Sequence, residues 1–416
     1  MTTPLRHKPF RQLAGGRAFA VLANSMAPVA LSFAVLDLTG SATDLGLVVG
    51  ARSLANVAAL LFGGVLADRW PRALILQGTA FGSALVQGLL ALTVLTHAAS
   101  LPLLIGLSLA TGVLAALSLP AAGALLPQTV PAEELRPANA VSRVGSNIGL
   151  IAGSSLGGVL AAAVGPGWAL AVDAVALLAA AGCYLGVRLP AGPAAAVPAG
   201  TGPLAELREG WREFVSRTWV WVVVLQFMVV NAADSGAISV LGPGIANATI
   251  GRTAWGLVLA AQMVGAVLAG LLVVRLRIRR ALLVGVASVL VSALPVLALA
   301  ERPGAAVLAL STLLTGFAVE FFAVAWDLSL QQNVPAEKLA RVYSFDALGS
   351  FLALPLGEMA IGPVAHRFGD RATLLAAAGL IVLATCAALT CRSIRTLVVR
   401  EDGAGSTVEP APAAAV

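Results

Sequence analysis

The chain is 416 residues long, 59% hydrophobic and 11% charged, with a formal net charge of +6 and a mean hydropathy of +0.92. Those proportions exclude a soluble domain of useful size and place the chain in lipid. The positive balance does not point to nucleic acid, because Lys and Arg stand between apolar runs, as a membrane topology signal does, rather than in one solvated block.

Apolar runs of about twenty residues, each long enough to cross a hydrocarbon core of about 30 Å, recur along the whole sequence. Arg6, Lys8, Arg11 and Arg17 precede the first run, which is full length and lacks a convincing cleavage site, so it is read as a retained span. Spans are predicted near 17–37, 44–66, 74–96, 102–122, 140–164 and 168–188, then near 217–241, 253–274, 281–300, 304–326, 343–366 and 370–391. The expected organisation is an N-terminal tail at 1–16, a six-helix lobe at 17–189, a Pro/Gly-rich linker at 190–216, a second six-helix lobe at 217–391 and a tail at 392–416. The end of the linker reads as a short amphipathic helix at the interface. The last tail is Pro/Ala-rich, a composition expected to be disordered.

With both termini on one side, 21 of the 26 Lys and Arg residues fall on that side. The positive-inside rule then puts both termini in the cytoplasm, leaving Arg252, Arg302, Arg367 and Arg371 outside and Arg52 within a span. Cys183, Cys386 and Cys391 have no metal-ligand spacing and read as small core residues. No metal site or cofactor is expected.

The loop after span 4 reads VPAEEL, residues 130–135, and the loop after span 10 reads VPAEKL, residues 334–339, an offset of 204. At the same offset Gly145 aligns with Gly349, Ser146 with Ser350, Gly153 with Gly357, Gly158 with Gly362 and Gly165 with Gly369. An even number of spans per copy gives the copies one orientation, related by an axis along the membrane normal. The predicted fold class is therefore an all-α integral membrane protein, twelve transmembrane helices in two six-helix lobes related by a pseudo-two-fold axis.

After span 2 the sequence reads GVLADRWPR, in which Gly64, Asp68, Arg69 and Arg72 match the loop signature of the major facilitator superfamily, with Pro71 in place of the usual Gly. The chain resembles that superfamily over about residues 10–395. Arg69 and Arg72 suit the negative end of span 2, whereas Asp68 does not and is expected to face the start of span 11. A solvated topology loop is the plainer alternative. In span 5, GLIAGSSLGG places Gly149, Gly153, Gly157 and Gly158 as in the glycine motif of proton-driven drug exporters, with Ser154 where that motif has Pro. Small residues four apart also make a face for close helix packing. SFAVLDLTGSATDLG and FDALGSFLALPLG are similar to the branch of drug:proton antiporters that holds enterobactin and macrolide exporters.

Five ionisable residues fall at membrane depth: Arg52, Asp173, Asp234, Glu320 and Glu358. Each costs about 2.5–3.5 kcal/mol there and needs a partner, water or a task. The resemblance implies that spans 1, 4, 7 and 10 line a central cavity, which makes Asp234 and Glu320 candidate proton and substrate residues. A desolvated carboxylate favours its protonated form and can trade a proton for a cation; satisfaction by neighbours such as Asn231 and Ser235 is the alternative. Arg52 and Glu358 lie equally deep on spans 2 and 11, which face each other in the family, so they are candidates for an ion pair closing an outer gate. Independent snorkelling is the alternative. Asp173 is expected to be structural, and Asp346 to serve the N-terminus of span 11.

No phosphate-binding loop or Ser/His/Asp arrangement is present, so no enzyme is indicated. The function expected is an inner-membrane, proton-coupled exporter of an amphipathic or cationic small molecule, drug, macrolide or siderophore-like, acting by alternating access. Its expected partners are that substrate, protons and the bilayer, with no nucleic acid, and it is expected to be a monomer. An importer or facilitator of a small metabolite on the same fold is one alternative; a transport-dead sensor or lipid-handling protein is another.

Overall fold

The computed structural model describes residues 4–67, 72–187, 211–212, 214–273, 279–302 and 304–397; among them the backbone is helical apart from short turns. The first six long helices are α1 Lys8–Thr39, α2 Ala42–Ala67, α3 Arg72–Leu95, α4 Leu101–Leu125, α5 Leu135–Ala163 and α6 Pro166–Leu185. The second six are α7 Thr218–Thr249, α8 Arg252–Val273, α9 Ala281–Glu301 and α10 Ala305–Asn333, then α11 in two pieces, Ala336–Phe351 and Leu354–Phe368, and α12 Asp370–Thr390. Eleven are long and apolar enough to cross a membrane. The twelfth, α2, has 26 residues, about 39 Å of rise, and packs along α4 and the second piece of α11.

The first helix starts nine residues before the predicted span. Pro9 suits its first turn, and Phe10 and Leu13 are buried in a cluster with Tyr184 of α6 and Val130 of the VPAEEL loop. Polar Arg11 and Arg17 interrupt the apolar run but not the helix. His7, assigned to the tail, meets Glu134 of VPAEEL at 3.1 Å. Asp346 does not serve a helix start, because α11 begins at Ala336; its Oδ2 accepts the Trp326 indole N–H at 3.0 Å. Asp68 and Arg69 lie outside the described residues, with Gly64 on α2 and Arg72 on α3. Most of the linker, and the tail after Leu397, also lie outside them.

Helix contacts repeat from half to half. Within the first six helices the close pairs are α1 with α5 and α6, α2 with α4, and α3 with α4 and α6. The same pairs recur six helices later: α7 with α11 and α12, α8 with α10, and α9 with α10 and α12. The two largest crossings between halves, α2 with α11 and α5 with α8, exchange under the same two-fold relation. Lipid gives apolar helices no hydrophobic drive to associate, so small residues that let backbones approach hold the assembly. Gly112 admits the Arg52 carbonyl and Gly316 the Gln262 carbonyl; Gly153 admits Leu22 and Gly357 admits Ala232. Partners on the second helix of each pair are 204 residues apart, whereas Arg52 and Gln262, and Leu22 and Ala232, are 210 apart. The repeat therefore runs in two registers, six residues longer for α1 and α2 than for α4 and α5.

The lobes meet at the end of the bundle away from the chain termini. There Gly158 of α5 lies against Gly256 of α8, and Gly362 of α11 against Thr43 of α2. Toward the termini the first piece of α11 packs mainly on α7 and only slightly on α2. Two interruptions sit where the lobes part. Pro355 has no N–H for the Phe351 carbonyl, and α11 breaks at Leu352 and Ala353. Pro243 likewise has none for Ser239, and α7 passes through a π-helical turn at Gly236–Leu241.

Candidate functional site: a charged cavity at the lobe boundary

A cavity of about 460 Å³ lies between the lobes, near the far end where they meet. Its apolar wall includes Val49, Leu259, Phe351 and Trp255. Its polar lining consists of Arg52, Ser53 and Asn56 of α2, Ser32 of α1, Ser239 of α7 and Glu358 of α11. Pro28 inside α1 lines the same space, and the hydroxyl of Ser32 donates back to its carbonyl at 2.7 Å. Asn56 donates to the Gly112 carbonyl at 3.2 Å, which ties α4 to α2 one turn from Arg52.

Arg52 and Glu358 come from opposite lobes, each ten residues from the far end of its helix element, Ala42 and Phe368, or about 15 Å deep. The structure brings both to one cavity without a direct ion pair between them. Glu358 is 3% exposed; its Oε1 accepts the Ser235 hydroxyl at 2.5 Å, while Oε2 is buried without a hydrogen-bond partner. Ser235→Ala removes this donor and leaves Ser53 as the neighbouring hydroxyl, which is expected to cost about 1–3 kcal/mol. A thermal unfolding midpoint lower by a few degrees is the result to look for, and an unchanged midpoint would deny that bond any weight.

The other acids stand differently. Asp234 precedes the π-helical turn, and the wall is formed by Ile238, Ser239 and Pro243 from that turn and just after it. Asp234 is not on the cavity lining, and its Oδ1 is buried without a partner. Glu320 of α10 is also off the lining; its Oε1 points toward Gly270 of α8, where an added Cβ would lie 3.9 Å away. Asp173 of α6 is fully buried with both carboxylate oxygens unpaired, and it lies beside Gln87 of α3 and within the field of Arg52. In α5, Gly149, Gly153 and Gly157 face the α1 backbone and Gly158 faces α8, a packing surface along its whole length.

Sequence reasoning missed the far-end ion pair. Arg252 at the start of α8 grips Asp37 near the end of α1 with both Nη atoms, one at 2.9 Å. Its Nε donates to Asn247 Oδ1 at 3.0 Å, and its guanidinium lies 5.0 Å over the Phe33 ring. Two more arginines at this end also meet acids, Arg302 with Asp370 and Arg371 with Glu301. The signal available was that Asp37 and Asn247 are counterparts in the 210-residue register.

A family model described as Major Facilitator Superfamily matches residues 13–358. The "Enterobactin exporter EntS" of Citrobacter koseri is 30% identical over 273 residues, 64% of this chain and 63% of that protein. The Escherichia coli protein of the same name is 29% identical over 248 residues, 58% of this chain and 57% of its own. These matches span less than two thirds of the relatives' length. Among solved structures, a nucleoside transporter, NupG, superposes with a TM-score of 0.72 at 14% identity, covering 94% of this chain and 99% of that one. A bacterial homologue of the human lysosomal transporter Spinster, in an inward-facing and occupied conformation, gives 0.72 at 16% identity over 95% and 98%. At these identities the structural likeness concerns the fold alone.

Proposed function

The chain belongs to the major facilitator superfamily of membrane transporters, and on that premise we propose that it exports an amphipathic or cationic small molecule in exchange for protons. The observation that carries the reading is the cavity itself: an apolar space between two pseudo-symmetric lobes that meet at one end, with one basic and one acidic side chain from opposite lobes on its wall. A packed structural core has no use for such a space. Export is favoured over import by the relatives named for exporting enterobactin.

The setting is the inner membrane with both termini in the cytoplasm, following the distribution of 21 of 26 basic residues. The end where the lobes meet then faces outward, and the lobes, residues 17–189 and 217–391, rock about the cavity as a monomer. Asp234 and Glu320 remain candidate proton carriers: the first has an unpaired buried oxygen, and the second lies at the crossing of α8 and α10.

The test is transport in liposomes of known protein orientation, loaded with a panel of cationic drugs and siderophores, with a pH gradient imposed. Efflux of at least one compound should accelerate with the gradient. Glu358→Gln should slow it about tenfold, equivalent to about 1.4 kcal/mol of barrier, and Asp234→Asn and Glu320→Gln should show which other acids take part. Flux indifferent to the gradient would remove proton coupling from the reading.

A further inference from the structure

Arg52 lies in the field of two buried acids, one from each lobe. Glu358 on α11 of the other lobe lines the same cavity as Arg52, and among the described residues Glu358 and Asp173 of the first lobe are the ionisable groups whose charge acts on it. No direct ion pair joins Arg52 to either acid among the described residues; three of the four carboxylate oxygens are buried without a well-formed hydrogen bond, with Gln87 beside Asp173 and Ser53 beside Glu358. The arginine is thus shared, and committed to neither acid.

Few other charges surround the group. On α7, Asp234 stands one residue before Ser235, the donor to Glu358. On α12, Asp370 and Arg371 lie in the first turn, where they meet Arg302 and Glu301. The described parts of α3 and α4, which pack about Asp173 and Arg52, carry no charged residue at membrane depth. Arg17 near the start of α1 and Arg143 near the start of α5 lie toward the termini, while Asp37 of α1, Asp44 in the first turn of α2 and His366 and Arg367 in the last turn of α11 lie at the far end.

The repeat supplies an internal comparison. Gly46 of α2 packs on the Glu358 carbonyl, and its counterpart Gly256 of α8 packs on the Ser154 carbonyl. The counterpart of Glu358 is therefore Ser154, and that of Arg52 is Gln262, at the equivalent carbonyl contact with Gly316. In the 204-residue register Asp173 corresponds to Ala377, which is also buried. All three charges have neutral counterparts in the same packing, so helix association does not require them.

We propose that Arg52, Asp173 and Glu358 form one binding site for a single positive charge, filled in turn by a proton and by the cationic group of an amphiphile held in the cavity. The proposal rests on the transport reading above and gives it a site, a cargo class and a ratio. With the arginine charged and both acids ionised, the group sums to minus one in surroundings that disfavour a net charge. A proton on either acid brings the sum to zero, and so does a monovalent cation beside Glu358. The two states exclude each other, so one proton leaves to water for each cation that enters. Asp173 does not touch the cavity; it is a positioning residue that acts through the charge and placement of Arg52.

The test uses the full chain in lipid nanodiscs and tetraphenylphosphonium as the probe. Titration calorimetry in two buffers of different ionisation enthalpy counts protons released on binding. The native protein should release close to one proton per probe bound over some range of pH. Asp173→Asn brings the ionised sum to zero and should weaken probe binding about tenfold, with loss of proton release. Arg52→Gln combined with Asp173→Asn returns the sum to minus one and should recover both, a rescue that misfolding cannot imitate. A native protein that binds no probe, an Asp173→Asn variant that binds and releases protons as the native chain does, or a monodisperse double variant that stays silent would each overturn the proposal. These measurements are made at equilibrium without a gradient, so they can hold where gradient-driven efflux fails, and fail where efflux holds.

Discussion

Gly316→Leu is expected to leave almost no folded protein to purify. Even the Cβ atom of a new side chain would fall inside contact distance of the Gln262 carbonyl carbon and oxygen on α8. The obstacle is backbone held in the ladder of another helix, so it cannot rotate away as a side-chain end could. Relief requires α8 and α10 to separate along one of the tightest interfaces in the protein, and in lipid that close packing is what holds the pair. Overpacking against fixed backbone should cost more than about 4 kcal/mol, the range of core disruptions that unfold a marginal domain. Gly265→Leu, aimed at the Leu313 carbonyl in the same crossing, should behave alike. Gly88→Leu on α3, with nothing within 4 Å of its added Cβ, is the control that should remain monodisperse. The readouts are yield, elution as a single peak in detergent and the thermal unfolding midpoint. A Gly316→Leu protein that elutes as one peak and melts within a few degrees of the native chain would show that the crossing has slack.

The same glycines explain why so much of the fold was legible. Close helix contact in lipid leaves a mark at each crossing, and copies of that mark, such as Gly153 with Gly357 and Gly158 with Gly362, expose the two-fold relation in the letters. The second register was harder to see because, apart from the pair Gly46 and Gly256, residues such as Leu22, Ala232, Arg52 and Gln262 contribute carbonyls to their contacts, and a carbonyl is the same for every residue type. Depth along a helix could likewise be counted, which is why Arg52 and Glu358 were paired in advance. Rotation about the axis could not. The π-helical turn at Gly236–Leu241 changes which side of α7 faces inward, so Ile238 and Ser239 line the cavity where Asp234 was expected. Glu320 is on a helix of the right number but turned toward α8. Asp37 went unnoticed because an acid at the end of an apolar run looks like a solvated boundary residue, and its partner lies 215 positions away.

Arg252→Gln is expected to open the far end of the lobes, with labels there moving apart in a fraction of molecules at least about tenfold larger than in the native chain. Arg252 crosses the boundary with a two-pronged hold on Asp37, and its own geometry is prepared by Asn247 and by the Phe33 ring beneath it. Charge-assisted, two-point bonds of this sort are about twice as strong as neutral ones. This one adjoins the Gly158 and Gly256 contact, where its backbone already meets α5. A surface ion pair between mobile side chains would contribute little; here the arginine side chain is only 20% exposed and its carboxylate partner 43%. The loss should therefore exceed about 1.4 kcal/mol, the free energy of a tenfold change in population. Spin labels at Ala98 and Ala306, exposed sites at this end in opposite lobes, would report the separation in a chain with its three cysteines replaced. Asp37→Arg combined with Arg252→Asp should restore the native distribution, because the charges exchange places across the same gap. The native distance distribution in Arg252→Gln would mean that the glycine contacts alone keep this end shut, and the ion pair would then have no part in the conformational balance.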